Sequence, residues 1–348
     1  MKNTIAITIG LDLGDKAHAI CVLDATGAII DKRMITNHVE SLRRLAKKYP
    51  GARIAMEVGT HSPWVSRFFS DQGFEVLVAN PRKLRAIYAN ERKSDERDAE
   101  MIARIARVDP QLLYPVQHGS EQAQLDLLQV KLRDNLVRQR VDVISAVRFT
   151  LKSIGIRLPS PDTAYFAKRA REVLGDQPEV LILIEPSLCV LDEMTIRIRE
   201  LDRAIEKLCK ESYPETERLR AISGVGPITA LVFVLVIGDV KRFAKARDVG
   251  AYLGMVPKRD QSGALDKQLR ISKAGDGYLR RLLVSAAQYI LGPFGPDCDL
   301  RSHGLALAER GGRAAKKKAV IAIARKLSVI MLTLLQQESD YEAIRKAA

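Results

Sequence analysis

The chain has 348 residues, enough for about two domains, and 47% of them are apolar, which excludes a mainly disordered protein. Lysine and arginine exceed aspartate and glutamate by 56 − 42 = 14, a surplus that usually indicates a polyanionic partner, most often nucleic acid. The four cysteines form no C-x-x-C pair, which argues against a structural zinc site and for a reducing compartment such as the cytosol. The most apolar run, 230–237, is too short to cross a bilayer, so no membrane segment or export signal is expected.

The N-terminal region predicts three strands followed by alternating helices and strands. In chain order the apolar patterns predict strands at 4–11, 17–22 and 28–34, a helix at 39–48, a strand at 53–57, a helix from Pro63, and a strand at 75–79. A meander followed by alternating helix and strand is typical of a mixed α/β sheet of the ribonuclease H type. A doubly wound nucleotide fold would alternate from the start, and no G-x-G-x-x-G follows the first strand.

Long helices are predicted from about Glu121 onward. Apolar residues recur every three or four positions in two stretches, 125–154 and 188–208, which favours an antiparallel hairpin and leaves a coiled coil or a plain helical bundle as interpretations. The segment 157–178 between them contains three prolines and a glycine, so we expect it to form the tip or an inserted loop.

A third module begins near Tyr213. The residues Ile222-Ser223-Gly224-Val225-Gly226-Pro227 resemble the turn of a helix-hairpin-helix motif, in which glycines let backbone N–H groups approach a phosphate. A glycine-rich helix connection without function is the alternative. The remainder of the chain is predicted to be helical and basic.

Four carboxylates are candidates for one metal site. Asp12 ends the first strand and Glu57 ends the fourth, and these strand ends lie side by side in a sheet of this type. Asp95 and Asp98 are three residues apart at the start of a predicted helix and therefore share a face. Four convergent carboxylates repel one another unless a hard cation neutralises them, and Mg²⁺ is expected, with Mn²⁺ as a substitute.

Each acid also has an ordinary structural explanation. Asp12 could close a turn before Gly14, and Asp95 and Asp98 could be acids favoured by the helix dipole. Glu57 is harder to explain in this way, since it ends an apolar strand and would be partly buried. The four together indicate a site more strongly than any one of them.

Five segments together resemble the DEDD-type insertion-sequence transposases, also known as bridge-RNA-guided serine recombinases. They are G-L-D-L-G at 10–14, A-M-E-V-G-T-H at 55–61, K-S-D-E-R-D-A at 93–99, I-S-G-V-G-P at 222–227 and I-S-K-A-G-D-G-Y-L-R-R at 271–281. The resemblance covers nearly the whole chain. It implies an α/β plus all-α protein with a RuvC-like catalytic domain at 1–118, a long-helix coiled coil at 119–212, and a mainly helical transposase domain at 213–348.

The resemblance also implies the site residues. Asp12, Glu57, Asp95 and Asp98 would be the tetrad that binds Mg²⁺, and Ser262, in the polar loop 258–263, would be the nucleophile. Relatives often carry a longer S-S-G-G run, whereas this chain has Ser262-Gly263-Ala264, and Ser272 is the competing serine. Ser272 fits equally well as an N-cap or a phosphate contact.

The basic residues are expected to hold nucleic acid around both groups of site residues. The candidates are Arg92, Lys93, Lys258, Arg259, Lys273, Arg280 and Arg281, with Gly224 and Gly226 of the helix-hairpin-helix-like turn. The expected partners, by the resemblance, are donor and target DNA, a structured non-coding guide RNA, and further copies of the chain as a dimer and, at synapsis, a tetramer.

Three functions therefore remain open from the sequence. The first is a cytoplasmic DNA recombinase that cuts and rejoins strands through a phosphoserine link. The second is a metal-dependent nuclease or junction resolvase that uses water. The third is a nucleic-acid-binding scaffold without catalysis.

Overall fold

The structure is a computed structural model that describes residues 6–81, 94–159, 162–262 and 265–344, with the backbone alone at 260–268. The chain forms two compact units, Met1–Gly119 and Ser120–Ala348. The first contains a mixed sheet with helices, and the second is mostly helical. The predicted division at 212/213 falls inside the second unit and stays a prediction.

A five-stranded sheet organises the first unit. Its strands lie in the order β3-β2-β1-β4-β5, with β1, β2 and β3 antiparallel and β4 and β5 parallel to β1. Their bounds are Thr8–Leu13 for β1, Ala17–Leu23 for β2, Ile29–Thr36 for β3, Arg53–Glu57 for β4 and Glu75–Ala79 for β5. The predicted mixed α/β sheet is confirmed.

The two faces of this sheet carry different side chains. Large apolar residues, among them Ile9, Leu11, Ile54 and Met56, face helices α1 (Val39–Lys48) and α2 (Ser62–Ser70) and form the main core of the unit. The opposite face carries small residues that pack against helix α3 (Asp95–Val108); they include Ala19, Cys21 and Ala55. Because successive strand residues point to opposite faces, Gly10, Asp12 and Glu57 belong to the α3 face.

Two long helices dominate one part of the second unit. Helices α4 (Glu121–Lys152) and α6 (Pro178–Glu211) run antiparallel, since Arg133 ion-pairs with Asp202 and Arg140 bonds to Thr195. The segment expected to be a loop contains a short helix, α5 (Phe166–Val173), whose Phe166, Ala167 and Ala170 are buried against the two long helices.

The apolar stripes of the two long helices have different surroundings. In α6 the predicted stripe is the buried one, with Leu188, Leu191, Ile198 and Ile205 almost inaccessible. In α4 the predicted positions Val147 and Leu151 are buried, together with Val130 and Ile144, whereas the predicted positions Leu125, Leu128 and Leu132 are at least half exposed, as is Ile154 just beyond the helix. The antiparallel pair is present, and a coiled coil remains a prediction.

The rest of the second unit is a helical core with one hairpin. Its helices are α7 (Thr216–Arg220), α8 (Pro227–Ile237), α9 (Val249–Tyr252), α10 (Gly277–Leu291), α11 (Asp299–Ala308) and α12 (Gly312–Gln337). Strands β6 (Pro257–Ser262) and β7 (Leu265–Ile271) form an antiparallel hairpin where the sequence indicated a polar loop. Helix α12 is long and apolar enough to cross a membrane by composition, but Ile323, Leu327 and Met331 are fully buried in the core.

Candidate active site

Two of the predicted carboxylates lie at the ends of neighbouring parallel strands. Leu11 of β1 pairs with Met56 of β4, and Asp12 and Glu57 are the next residues along these strands. Strands in a sheet are about 4.8 Å apart, and residues opposite each other point to the same face. The sheet therefore brings two carboxylates that are 45 residues apart in sequence to one edge of the α3 face.

Helix α3 crosses this face in close contact with the sheet. A Cβ on Gly10 would lie 2.0 Å from the carbonyl oxygen of Ala99 and 2.9 Å from the Cβ of Ala103, so only glycine allows this approach. Arg53, at the start of β4, donates from Nη1 to the carbonyl oxygen of Ala106 at 2.9 Å. The C-terminal half of α3 thus lies over the strand beginnings, and its first turn points toward the strand ends.

The other two predicted carboxylates lie in this first turn. Asp95 is exposed, whereas Asp98 is 7% exposed and one helical turn from the fully buried Ile102. The helix dipole explains an exposed acid such as Asp95. Asp98 is the more buried of the two, and burying a carboxylate is costly unless hydrogen bonds or a cation compensate for it.

The donor chemistry of this region suits Mg²⁺, which prefers carboxylate oxygens. Asp12 and Glu57 end neighbouring strands on the α3 face, and Asp95 and Asp98 lie in the first turn of α3. Within the described ranges, no three carboxylate, imidazole or thiol side chains stand close enough together to hold an ion.

The predicted serine lies in the second unit. Ser262 ends β6, and its backbone pairs with that of Leu265 across the hairpin; its side chain and residues 263–264 lie outside the described part. Ser272 lies at the other end of the hairpin. Its N–H donates to the carbonyl oxygen of Val256, and its hydroxyl accepts a long bond, 3.4 Å, from the N–H of Ala274.

The base of this hairpin is locked to the preceding turn. Gly254 and Gly275 both have positive φ, and a Cβ on either would lie 2.1 Å from the backbone of the opposite segment. Arg280 donates from Nη1 to the carbonyl oxygens of Leu253 at 2.9 Å and Ala274 at 2.7 Å. Since Arg280 was predicted to bind nucleic acid, these bonds assign it an additional structural role in holding the two segments together.

The other predicted basic contacts differ in their surroundings. Lys258 and Arg259 are exposed on β6, and Lys273 is exposed with a positive φ of 54°. Arg281 pairs with Asp134 of α4 at 2.7 Å and lies over the ring of Tyr278. Arg92 and Lys93 lie outside the described residues.

The helix-hairpin-helix-like turn joins α7 to α8. Gly224 has a φ of 85°, and a Cβ there would approach Ala286 and Tyr289 of α10, while Gly226 is the exposed N-cap of α8. A shallow pocket of about 470 Å³ lies beside the turn, lined by both glycines and by polar groups that include Ser223, Ser285 and Arg220. The backbone is therefore accessible at the place where the sequence predicts a phosphate contact.

Sequence reasoning missed a polar group next to the carboxylates. His61 bonds from Nε2 to Asp15 Oδ1 at 2.8 Å, and Trp64 donates from Nε1 to His61 Nδ1 at 3.3 Å. His18 lies beside this pair, with the ring centroids of His18 and His61 6.3 Å apart; its burial and the neighbouring His61 lower the pKa of His18. The only signal in the sequence was that Asp15 and His61 follow Asp12 and Glu57 by three and four residues.

Two protein families match the chain. A family described as transposase, of the DEDD type found with insertion sequence IS110, matches residues 9–156. The transposase IS116/IS110/IS902 family matches residues 216–297. The first match includes all four candidate carboxylates, and the second includes the glycine turn and the β6-β7 hairpin.

Relatives from three bacteria illustrate the similarity. The transposase for insertion sequence element IS1111A of Coxiella burnetii is 26% identical over 96% of this chain and 90% of its own length. A probable family 20 transposase of Pseudomonas aeruginosa is 28% identical over 96% of this chain and 98% of its own length. A pilin gene-inverting protein of Moraxella lacunata is 30% identical over 42% of this chain and 45% of its own length.

Proposed function

The chain belongs to the IS110/IS116 family of insertion-sequence transposases, enzymes that cut and transfer DNA strands, and we propose that it does so through a covalent phosphoserine intermediate. The observation that carries the proposal is the geometry of the first unit. It is supported by Asp12 and Glu57 ending neighbouring strands on the α3 face, and by Asp95 and the buried Asp98 lying in the first turn of α3.

The proposed role of these four carboxylates is to hold a divalent cation. Their oxygen-only donor set favours Mg²⁺, and Mn²⁺ can replace it. A cation bound there would stabilise the negative charge that develops on the scissile phosphate and on the departing oxygen. Asp98 is the most buried of the four proposed ligands.

The proposed nucleophile is Ser262. Its Oγ attacks the scissile phosphorus, a bond forms between Oγ and phosphorus, and the bond from phosphorus to the 3′ oxygen breaks. The serine proton leaves to solvent, and the 3′ oxygen departs as a hydroxyl after taking up a proton. Attack by the 3′ hydroxyl of another strand reverses these changes and releases the serine, so no external energy source is needed.

One observation supports this chemistry over hydrolysis by water, and another favours Ser262 over Ser272 as the nucleophile. One relative is named for inverting a pilin gene, and inversion requires that every cut strand be rejoined. Ser272, the competing serine, lies at the locked base of the hairpin, whereas Ser262 lies beside its turn. A serine that must reach a phosphate is better placed at the turn.

The proposal extends to the partners and the location. The carboxylates and Ser262 lie in different units of one chain, so we propose that two copies act together on donor and target DNA, as a dimer and then a tetramer. A structured guide RNA would select both DNA sites by base pairing, and the protein would bind the duplexes through backbone and shape. The enzyme would act in the bacterial cytoplasm, on the nucleoid.

The deciding experiment looks for the covalent product. The protein is incubated with Mg²⁺, labelled donor and target DNA and the RNA transcribed from its flanking sequence, then denatured and resolved by electrophoresis. We expect a serine-linked protein–DNA adduct with the wild type and none with Ser262→Ala. Ser272→Ala is the matched control and should still form the adduct.

Carboxylate variants separate the remaining alternatives. Asp98→Asn and Glu57→Gln should each lower strand cleavage by a factor of at least about 100, the scale of losing one strong transition-state contact. Cleavage by Ser262→Ala without an adduct would establish the nuclease instead. Binding of nucleic acid by the wild type and the carboxylate variants alike, with no strand cleavage by any of them, would leave only the binding scaffold.

A further inference from the structure

Three loops meet just beyond the candidate carboxylates. One is the β1-β2 turn with Asp15, the second is the β4-α2 loop with His61, and the third follows β3 and contains Asn37. Asp15 is three residues beyond Asp12, and His61 is four residues beyond Glu57. The first two of these loops therefore continue directly from the two strands that supply half of the proposed metal ligands.

Side-chain hydrogen bonds connect these loops. His61 Nε2 lies 2.8 Å from Asp15 Oδ1. Asn37 donates from Nδ2 to the carbonyl oxygens of Gly14 at 3.3 Å and Asp15 at 3.0 Å, and its N–H donates to the carbonyl oxygen of Lys16 at 3.0 Å. Asn37 thereby holds the β1-β2 turn in place, and the bond between His61 and Asp15 links that turn to the Glu57 strand.

Two contacts of His61 favour one tautomer, whereas Asn37 Nδ2 lies 3.5 Å from both ring nitrogens and does not distinguish them. The indole N–H of Trp64 can only donate, and it lies 3.3 Å from His61 Nδ1, so Nδ1 carries a lone pair. The ring proton is then on Nε2 and is donated to the Asp15 carboxylate. The side chain of Asp15 is 93% exposed, so this carboxylate is held by His61 and not by burial.

We propose that His61 is a positioning residue that, through Asp15, keeps the strand ends bearing Asp12 and Glu57 at the separation needed for cation binding. The inference rests on the proposed function, since it concerns the same metal site. His61 does not touch the cation; it acts through two short loops, as residues behind a metal ligand commonly do.

The energetic reason concerns the carboxylates of Asp12 and Glu57, which lie one residue beyond the last β1-β4 pair, Leu11 and Met56. Like charges repel, so two untied strand-end loops would separate, and cation binding would be weakened by the free energy needed to bring them back together. A bond that already joins the loops reduces that cost. The bond between His61 and Asp15 should therefore raise the affinity for the cation, even without DNA or RNA.

The test measures cation binding directly on the full chain. Free Mn²⁺ is followed by its electron paramagnetic resonance signal as protein is titrated, and Mg²⁺ is then added as competitor. Asp98→Asn reports on the metal site itself and should abolish the high-affinity binding. This variant keeps failure of the proposed function distinguishable from failure of the present inference.

Two pairs of variants isolate the effect of the hydrogen bond between His61 and Asp15. Asp15→Ala and Asp15→Asn both remove the charge, but only asparagine keeps an acceptor for His61. His61→Asn retains an acceptor near Nδ1 for Trp64 but loses the bond to Asp15, whereas His61→Gln retains a donor near Nε2. We expect Asp15→Ala and His61→Asn to weaken Mn²⁺ binding about tenfold, and Asp15→Asn and His61→Gln to stay near the wild-type affinity.

Controls exclude a general loss of structure. Asp15 is exposed, so its variants should unfold at the wild-type temperature without metal. His303→Ala, in an exposed position of α11, should bind Mn²⁺ as the wild type does. Equal Mn²⁺ affinities of Asp15→Ala and Asp15→Asn would overturn the inference, because the loss of charge alone would then explain any change. Wild-type Mn²⁺ affinity in His61→Asn would overturn it as well.

Discussion

At the scale of single residues, the first unit depends on side chains that are small, buried or both. Gly10 lets α3 lie directly on the sheet, and Asp98 then becomes a nearly inaccessible carboxylate at the start of that helix. His18 is fully buried beside His61 on the other face. Each of these positions has a measurable consequence for stability.

Gly10→Ala should destabilise the first unit by about 1–3 kcal/mol, the usual cost of inserting an atom into a packed interior. The added Cβ would meet the backbone of Ala99, which cannot rotate away, so α3 must shift. Urea unfolding followed by circular dichroism measures the change. Gly175→Ala is the matched control, since its Cβ would make only ordinary contacts at 3.6 Å or more; an equal loss of stability in both variants would refute the explanation.

Stability should fall as the pH is lowered from about 7.5 to 5. Burial lowers the pKa of His18 and of His118 in the folded chain, so below the ordinary histidine value of 6.5 the unfolded chain binds more protons than the folded one. Protons then favour unfolding. The pKa values of Asp24 and Glu100 are also lowered, but these carboxylates take up protons, and so reduce the stability, only at lower pH.

His18→Gln should flatten this pH dependence, whereas His303→Gln, at an exposed position, should leave it as steep as in the wild type. Melting temperatures measured at half-unit pH steps provide the comparison. An unchanged slope in His18→Gln would show that His18 does not contribute.

At the scale of elements, the long helices show what apolar spacing can and cannot predict. Spacing identified both helices and their antiparallel pairing, because a three-or-four repeat is the property of any amphipathic helix. It did not distinguish the buried stripe of α4 from an exposed one, since Leu125 and Leu128 repeat as regularly as Ile144 and Val147. Only the partner helix decides which face is covered.

Burial in α6 gives a direct prediction for this pair. Leu188→Ala should cost about 2–5 kcal/mol, because Leu188 is fully buried between α4, α5 and α6. Leu183→Ala, five residues earlier in the same helix and 79% exposed, should change stability by less than about 0.5 kcal/mol. Denaturant unfolding of the two variants tests the assignment, and similar decreases in stability would contradict it.

The β6-β7 hairpin illustrates a different limit of sequence reasoning. Its polar composition predicted a loop, yet the backbone pairs from Pro257 to Ile271. The pairing starts from a base where Gly254, Gly275 and Arg280 lock two segments that are about 20 residues apart. Such tertiary contacts leave no local pattern in the sequence.

At the scale of the whole molecule, the charge surplus of 14 is spread over both units. Many arginines are already paired within the protein, such as Arg171 with Glu185 and Asp192. The exposed lysines Lys316, Lys317 and Lys318, in the first turns of α12, form no ion pair among the described residues. Lysines of this kind are the ones that can release counterions from nucleic acid.

Replacing Lys316, Lys317 and Lys318 together by alanine should weaken nucleic-acid binding and make it less sensitive to salt. Each phosphate that the variant no longer binds should reduce the slope of log K against log salt concentration by about 0.9. Filter binding between low and moderate salt measures the slope. Lys207→Ala, which removes a lysine paired with Glu211, should leave the slope unchanged, and an unaltered slope in the triple variant would exclude this surface.

The sequence by itself determined the mixed sheet, the position of the long helices, the charge and the family, because each depends on local periodicity, composition or motifs. It placed Asp12 and Glu57 at strand ends, which follows from where apolar runs stop. Tertiary structure alone decided that α3 lies on Gly10, that Asp98 is buried, and that His61 reaches Asp15. These contacts join residues far apart in the chain, and their distances are set by packing, on which local sequence patterns carry no information.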